Sequence, residues 1–271
     1  MNLGKEMVFT LFTNNPDLAL QADLAGVDRI GLDFEVLGKA NRQDRNKSWI
    51  SDHRFEELSA ISAQLTKASL FARTNPMHNG LKSEIDRYIE AGVKVLMMPM
   101  VKSAEDVGKF LEYVDDRAKV SLLVETPAGA MRLHEIVQIK GIGDIHIGLN
   151  DMYLGMGLAN HFEVLVSDFM EALAGTSIDA GLPFGFGGVA RKVDESLPVS
   201  SELIYAQYAR LNATRALISR VFTQGISHAD MIKELAVCRS ALSRWGNESP
   251  EKIHKAKLEL RQTVASLREK S

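Results

Sequence analysis

Five charged residues far apart in this 271-residue sequence, Asp33, Glu35, Arg73, Glu125 and Asp151, have the types needed to hold a cation and grip an anionic group. Glu125 closes the apolar run 122–124, so a carboxylate is set at the end of what reads as a buried strand. Asp151 closes "GLND" 26 positions later. Two carboxylates held together repel unless a proton or a cation sits between them. Mg²⁺ suits such a pair, because it takes one or two carboxylates plus substrate oxygens; Mn²⁺ and Co²⁺ accept the same oxygen ligands. The plainer alternative is that each acid caps the helix after it or pairs with a nearby base. Arg73 is unsuited to a metal but can grip a carboxylate with two N–H groups. Its alternative is an ion pair with Asp33 or Glu35. A metal beside an arginine fits a 2-oxo acid, the guanidinium taking the carboxylate and the metal chelating carboxylate and keto oxygens. Such a metal acts as a Lewis acid and stabilises an enolate, the key species of aldol cleavage and condensation.

These residues share a site only if the fold brings them together. Short apolar or β-branched runs at 7–12, 28–35, 68–74, 93–99, 119–125, 143–151, 183–190 and 215–222 read as strands. Helical patterns lie between them. One opens with Asn15, Pro16 and Asp17. Another starts at Ser51 or Asp52 and runs through 55–65. Others occupy 82–92 (closed by Gly92), the segment from Ser103, 127 to about 137, and about 161–175. The segment "VDESLPVSS" before the eighth strand does not read as helical. Eight strand–helix units in about 225 residues predict an α/β (β/α)8 TIM barrel, whose usual size is about 250 residues, over an open doubly wound sheet. Residues 1–225 form that barrel and 226–271 a C-terminal helical hairpin. The hairpin carries one apolar stripe through Ile226, Leu235, Cys238, Leu242 and Trp245, and another through Ile253, Ala256, Leu260, Val264 and Leu267. It can cover its own barrel or a neighbouring subunit.

A parallel barrel binds ligands at the carboxyl ends of its strands. Strand ends supply Asp33 and Glu35, then Arg73 and Asn75, Pro99, Glu125, then Gly148, Asn150 and Asp151, and the glycines Gly187 and Gly188 of "GFGG". Those glycines suit close approach of a ligand to the backbone, or a phosphate cradle; the first reading is favoured. Candidate general bases are His78 and His53, each equally readable as a surface or capping residue. His146 reads as a barrel residue, and His134 needs no function. Lys39, Arg42 and His53 form a basic loop that either meets an anionic part of the substrate or is simply solvated.

Charge is nearly balanced, 32 basic against 35 acidic residues, with no basic stripe interleaved with aromatics, so nucleic acid is not an expected partner. The single Cys238 permits no internal disulfide and suits a reducing cytoplasm. The N-terminal apolar run is too short for a signal peptide, and no run approaches the roughly 18 residues of a membrane span. A cytoplasmic protein is expected.

"GLDFE", "ARTN", "MMPMVKSAEDV", "VETPAGAMRLHEI" and "IHIGLNDMYLGMG", in this order over residues 7–222, resemble the HpcH/HpaI aldolase and citrate lyase β-subunit family of pyruvate-using barrels. The resemblance implies Glu125 and Asp151 as ligands of Mg²⁺ or Mn²⁺ and Arg73 as carboxylate anchor. It places Asp33 and Glu35 in the site through water or outer contacts, and implies a homo-oligomer. Two positions depart. Val36 stands where the class II pyruvate aldolases carry a histidine, and Met100 where lyase-type members often carry a lysine. The expectation is a metal-dependent carbon–carbon lyase or aldolase acting through a pyruvate-type enolate, with an aldehyde or acyl partner. A citrate-lyase-like acyl-CoA lyase and a non-catalytic metabolite-binding barrel are the rivals.

Overall fold

A computed structural model describes residues 2–38, 53–194 and 196–268. A short helix, α1 (Leu3–Glu6), precedes β1 (Val8–Phe12) and α2 (Pro16–Ala25). Then follow β2 (Arg29–Asp33), α3 (Glu57–Ser62), β3 (Ser69–Arg73), α4 (Leu81–Glu90), β4 (Val95–Met98) and α5 (Ala104–Val114). β5 (Lys119–Val124) leads to α6 (Pro127–Met131) and α7 (Leu133–Ile136), and β6 (Ile142–Ile147) to α8 (Leu149–Met156), α9 (His161–Leu165) and α10 (Asp168–Asp179). β7 (Phe184–Val189), α11 (Ser201–Arg210), β8 (Arg215–Ile218) and α12 (Arg220–Thr223) complete the ring, and α13 (His228–Gly246) and α14 (Pro250–Arg268) end the chain. The eight strands are parallel and close in sequence order, β1 pairing with both β2 and β8, as the repeated strand–helix pattern predicts.

The sequence patterning explains the layers. β4 is buried along its whole length and β5 from residue 120 onward, because helices cover the outside and side chains fill the inside. Phe71, Val95, Met97 and Leu123 form an inner core within the barrel, separate from the larger shell under the helices. α4 buries Leu81, Ile85 and Tyr88, and α5 buries Val107, Phe110 and Val114, each at helical spacing. The expected starts are capped by side chains: Asn15 Oδ1 accepts from the Asp17 and Leu18 amides, Ser103 Oγ from Asp106, and Thr126 Oγ1 from Gly129.

Several boundaries differ from expectation. The sixth strand stops at Ile147, and Leu149–Met156 turns into a helix that buries Leu149 and Met152. The eighth stops at Ile218, where Ser219 caps α12 through the Phe222 amide. The helix expected over 161–175 is broken because Ser167 accepts from Met170 N–H and starts α10 afresh. The helix expected from 127 to 137 is split at Arg132 (φ −102°, ψ 10°). α11 follows directly on the segment that reads as unhelical, with Ser200 as its cap. The helix start at Ser51 or Asp52 lies outside the described residues.

α13 packs on α1, α2 and α11, and α14 on α11. Arg239, on α13, donates to the carbonyls of Gly4, Met7 and Gly26 and to Asp28 Oδ2, at 2.8–3.0 Å. An added Cβ at Gly4 would fall 1.9 Å from the Arg239 carbonyl oxygen, so only glycine lets α1 lie against α13. Lys257 of α14 reaches Glu171 at 2.6 Å and Asp168 at 3.2 Å on α10. No helix among the described residues is long and apolar enough to cross a membrane.

Candidate active site

The carboxyl ends of β2, β3 and β5 and the turn after β6 bring four acids and an arginine to the mouth of the barrel. Asp33 ends β2 and Arg73 ends β3, directly opposite in the ladder. Arg73 Nε and Nη2 each donate to Asp33, at 2.7 Å, and Nη2 lies 3.4 Å from Glu35 Oε2. The ion pair weighed from sequence is therefore formed, and it uses two of the guanidinium's three nitrogens. Among the described residues Nη1 makes no hydrogen bond. The guanidinium also lies 5.4 Å from the Phe12 ring centroid. Burial works against the charged guanidinium, but Asp33, Glu35 and Glu125 outweigh it and hold its pKa above the ordinary value.

Glu125 is 3% exposed. Its Oε1 accepts from the Met100 amide at 3.0 Å, and Met100 holds a left-handed φ of 54°. Its other oxygen rests against Gly148: a Cβ there would fall 2.7 Å from Oε2 and 2.6 Å from Glu125 Cβ. Burial, with Glu35 and Asp151 adding to it, pushes the Glu125 carboxyl up to about 8 against the downward pull of Arg73 and the Met100 amide. Asp151 stands in the first turn of α8 rather than on a strand, a position where the helix N-terminus favours an acid.

A hard cation suits this donor set, because the charge it brings is what a buried carboxyl repelled by Glu35 and Asp151 lacks. Among the described residues no group of three or more His, Cys, Asp or Glu could hold a metal by itself. The protein's contribution would be the two carboxylates of Glu125 and Asp151, with substrate oxygens and water completing the shell.

The other expected residues are placed as follows. Asn75 Oδ1 accepts from the Val36 and Leu37 amides, both at 3.0 Å, and its Nδ2 lies 3.2 and 3.3 Å from the two Glu84 oxygens, so its amide pins the chain after β2. His78 Nδ1 accepts from the Gly80 amide at 3.1 Å, and Nε2 lies 3.1 Å from Glu84 Oε1 without the alignment of a hydrogen bond. His53 Nδ1 accepts from the Asp33 amide at 2.9 Å, which brings it to the end of β2. Gly148 caps α8, and Asn150 is exposed on its first turn. Gly187 has φ 44° at a register shift in the β7–β8 ladder, and its carbonyl lies 3.1 Å from His146 Nε2; Gly188 beside it is exposed. His146 is buried in the barrel, and burial pushes it down to about 4 against the pull of Asp144 and the Gly187 carbonyl. Lys39 and Arg42 lie outside the described residues.

One residue at the mouth escapes sequence reading. Arg220, just beyond β8, has its pKa lowered by burial, with Asp33 raising it and Arg73 lowering it, so it shares their field. "RALISRVF" reads as one alternating strand, which hides the cap at Ser219 that turns Arg220 out of the ladder.

A closed parallel barrel with its acids and arginine gathered at the carboxyl ends of the strands is a TIM barrel with its candidate site in the usual place for that fold. The model of the HpcH/HpaI aldolase/citrate lyase family matches residues 5–191. The chain belongs to this family of aldolases and lyases. In structure it is similar to an HpcH/HpaI aldolase from Desulfitobacterium hafniense DCB-2 (17% identity, 80% of this chain and 86% of that chain covered, TM-score 0.61). It is similar also to the citrate synthase SbnG (16%, 89% and 95%, 0.58). A third is the citrate lyase β subunit from M. tuberculosis, complexed with oxaloacetate and magnesium (16%, 89% and 99%, 0.58). At these identities the likeness is one of fold. No curated protein matches the chain in sequence.

Proposed function

We propose that the protein is a divalent-cation-dependent carbon–carbon lyase or aldolase that acts on a 2-oxo acid through a pyruvate-type enolate. The observation that carries this reading is Glu125, a carboxyl buried at the barrel mouth in the field of Glu35 and Asp151, beside an Arg73 that its fork to Asp33 holds in place. The citrate lyase β subunit in complex with oxaloacetate and magnesium supports a 2-oxo acid as substrate class and Mg²⁺ as cation.

Glu125 and Asp151 would hold the cation, which when bound supplies Lewis acidity toward the keto oxygen. Arg73 is fixed by its fork to Asp33, so its orientation is set before substrate arrives. Its Nη1 would donate to the substrate carboxylate. His53 and His78 each spend a ring lone pair on a backbone amide, which leaves the proton of the neutral ring on Nε2. That state donates rather than accepts. Of the two β2 acids, Glu35 would take the substrate proton through water, because both Asp33 oxygens already accept from Arg73. An aldehyde or acyl group would be the second reactant, arriving or leaving at the enolate carbon.

Pyruvate incubated with the protein in D₂O, with and without Mg²⁺ or Mn²⁺, should lose its methyl proton signal only when metal is present. Glu125→Gln or Asp151→Asn should abolish this exchange while the fold is retained. Metal-dependent exchange at the wild-type rate in either variant would remove the cation-site assignment.

A further inference from the structure

At the face opposite the mouth, where the strands begin, a bowl of about 510 Å³ opens into the barrel. Its wall carries Arg29, Lys67, Lys119 and Arg215, with Asp28 and Ser69 between them. The carboxylates within reach are already engaged. Asp144, just inside the barrel, accepts from Arg29 Nη2 at 2.6 Å and Ser121 Oγ at 2.5 Å, and lies 3.4 Å from Arg215 Nε. Asp28 Oδ2 accepts from the Phe9 amide at 2.8 Å and from Arg239 Nη2 at 2.9 Å. With Arg239 counted, and Asp23 beside the Lys67 amide, five cations face three carboxylates, an excess of two positive charges. Neither Lys67 nor Lys119 makes an ion pair among the described residues. Both are held at the backbone: the Lys67 amide donates to Asp23 Oδ1 and the Lys119 amide to the Lys94 carbonyl, each at 2.9 Å.

An ion cluster that only plugged the barrel floor would neutralise itself, because surplus like charges repel. This one is left in positive excess around an open volume. We propose that the bowl is a binding site for a small doubly phosphorylated anion, seated on Arg29, Lys67, Lys119 and Arg215. Guanidinium groups take phosphate oxygens with paired N–H donors, and the two ammonium groups act as point charges at the rim. Two surplus charges and four separate cationic groups match a diphosphate better than a monocarboxylate. The volume falls in the range of roughly 300–1,000 Å³ usual for small-ligand sites, enough for two phosphates and a modest organic body.

The test is a calorimetric titration of the full chain with inorganic pyrophosphate, and in parallel with phosphate and sulfate, at constant ionic strength with a chelator present. Saturable binding is expected for pyrophosphate, at least ten-fold tighter than for phosphate or sulfate. The double variant Lys67→Gln/Lys119→Gln should bind it at least ten-fold more weakly. Both side chains are exposed and lie away from the mouth, so pyruvate exchange should be unchanged in that variant. Equal pyrophosphate affinity in wild type and double variant overturns the assignment. So does equal affinity for phosphate and pyrophosphate, or no saturable binding.

Discussion

Gly148→Ala probes whether the buried acid of the mouth sits where the structure puts it. Gly148 has φ −82° and ψ 102°, a conformation open to alanine, so the backbone itself does not demand glycine. Space does. The added Cβ would fall 2.6 Å from Glu125 Cβ, 2.7 Å from Glu125 Oε2 and 3.2 Å from Leu123 Cδ1. Carbon atoms in contact prefer about 3.5–4.0 Å, so the two β-carbons must part by about 1 Å. A rotamer change moves Oε2 but not Cβ, which is bonded to the β5 backbone. β5 and the turn after β6 must therefore separate, straining the 3.1 Å bond from the Gly148 amide to the Val124 carbonyl. Overpacking of this kind costs about 1–3 kcal/mol of stability. A shift of about 1 Å at a reacting geometry costs about 100-fold in rate. Urea unfolding should show the stability loss. Mn²⁺ titration should show an affinity well below wild type, near that of Glu125→Gln. A wild-type unfolding midpoint together with wild-type Mn²⁺ affinity would refute the seating of Glu125 against Gly148.

Three further outcomes are expected. Asp144→Ala leaves Arg29 and Arg215 facing each other inside the barrel; removing one partner of a buried pair costs about 3–5 kcal/mol, and a loss under 1 kcal/mol in chemical denaturation would contradict the network. His146, neutral in the fold down to about 4, takes up its proton near 6.5 once unfolded. Stability should accordingly be unaffected by this group above pH 6.5 and fall as the pH drops from 6.5 towards 4; an imidazole NMR signal for His146 that titrates near 6.5 would show the ring is not buried as described. Gly108→Ala, inside α5 with nothing within 4 Å of the new Cβ, should raise stability by about 0.5–1 kcal/mol, measured by urea midpoint.

The barrel was legible because its strands are buried on both faces and so read as short apolar runs, with capping residues marking the helices between them. Boundaries failed where that signal persists past the strand. "IHIGL" keeps its apolar alternation through Gly148, so Asp151 reads as a strand end although it belongs to α8. The same ambiguity in "RALISRVF" concealed Arg220. Acids and arginine at strand ends could be named from position alone. Which partner Arg73 takes could not, since Asp33 and Glu35 are equally near in sequence; only the β2–β3 register puts Asp33 opposite it. Asn75 and His78 show a further limit. Polar residues in a mouth serve a ligand or the loops around it, and the hydrogen bonds that decide between these come from residues such as Glu84 that no strand-end pattern marks.

The contacts of Arg239 also set a clock. The carbonyls of Gly4 and Met7 leave the ribosome 235 and 232 residues before the guanidinium that satisfies them. At roughly 5–20 residues per second, synthesis leaves that underside without its closing partner for about 12 to 47 s. For most of that interval the first strand has neither α13 beneath it nor β8 beside it. Completion of the ring thus waits for β8 and sealing of its floor for Arg239, and synthesis halted before residue 215 would leave the barrel open along the β1–β8 seam.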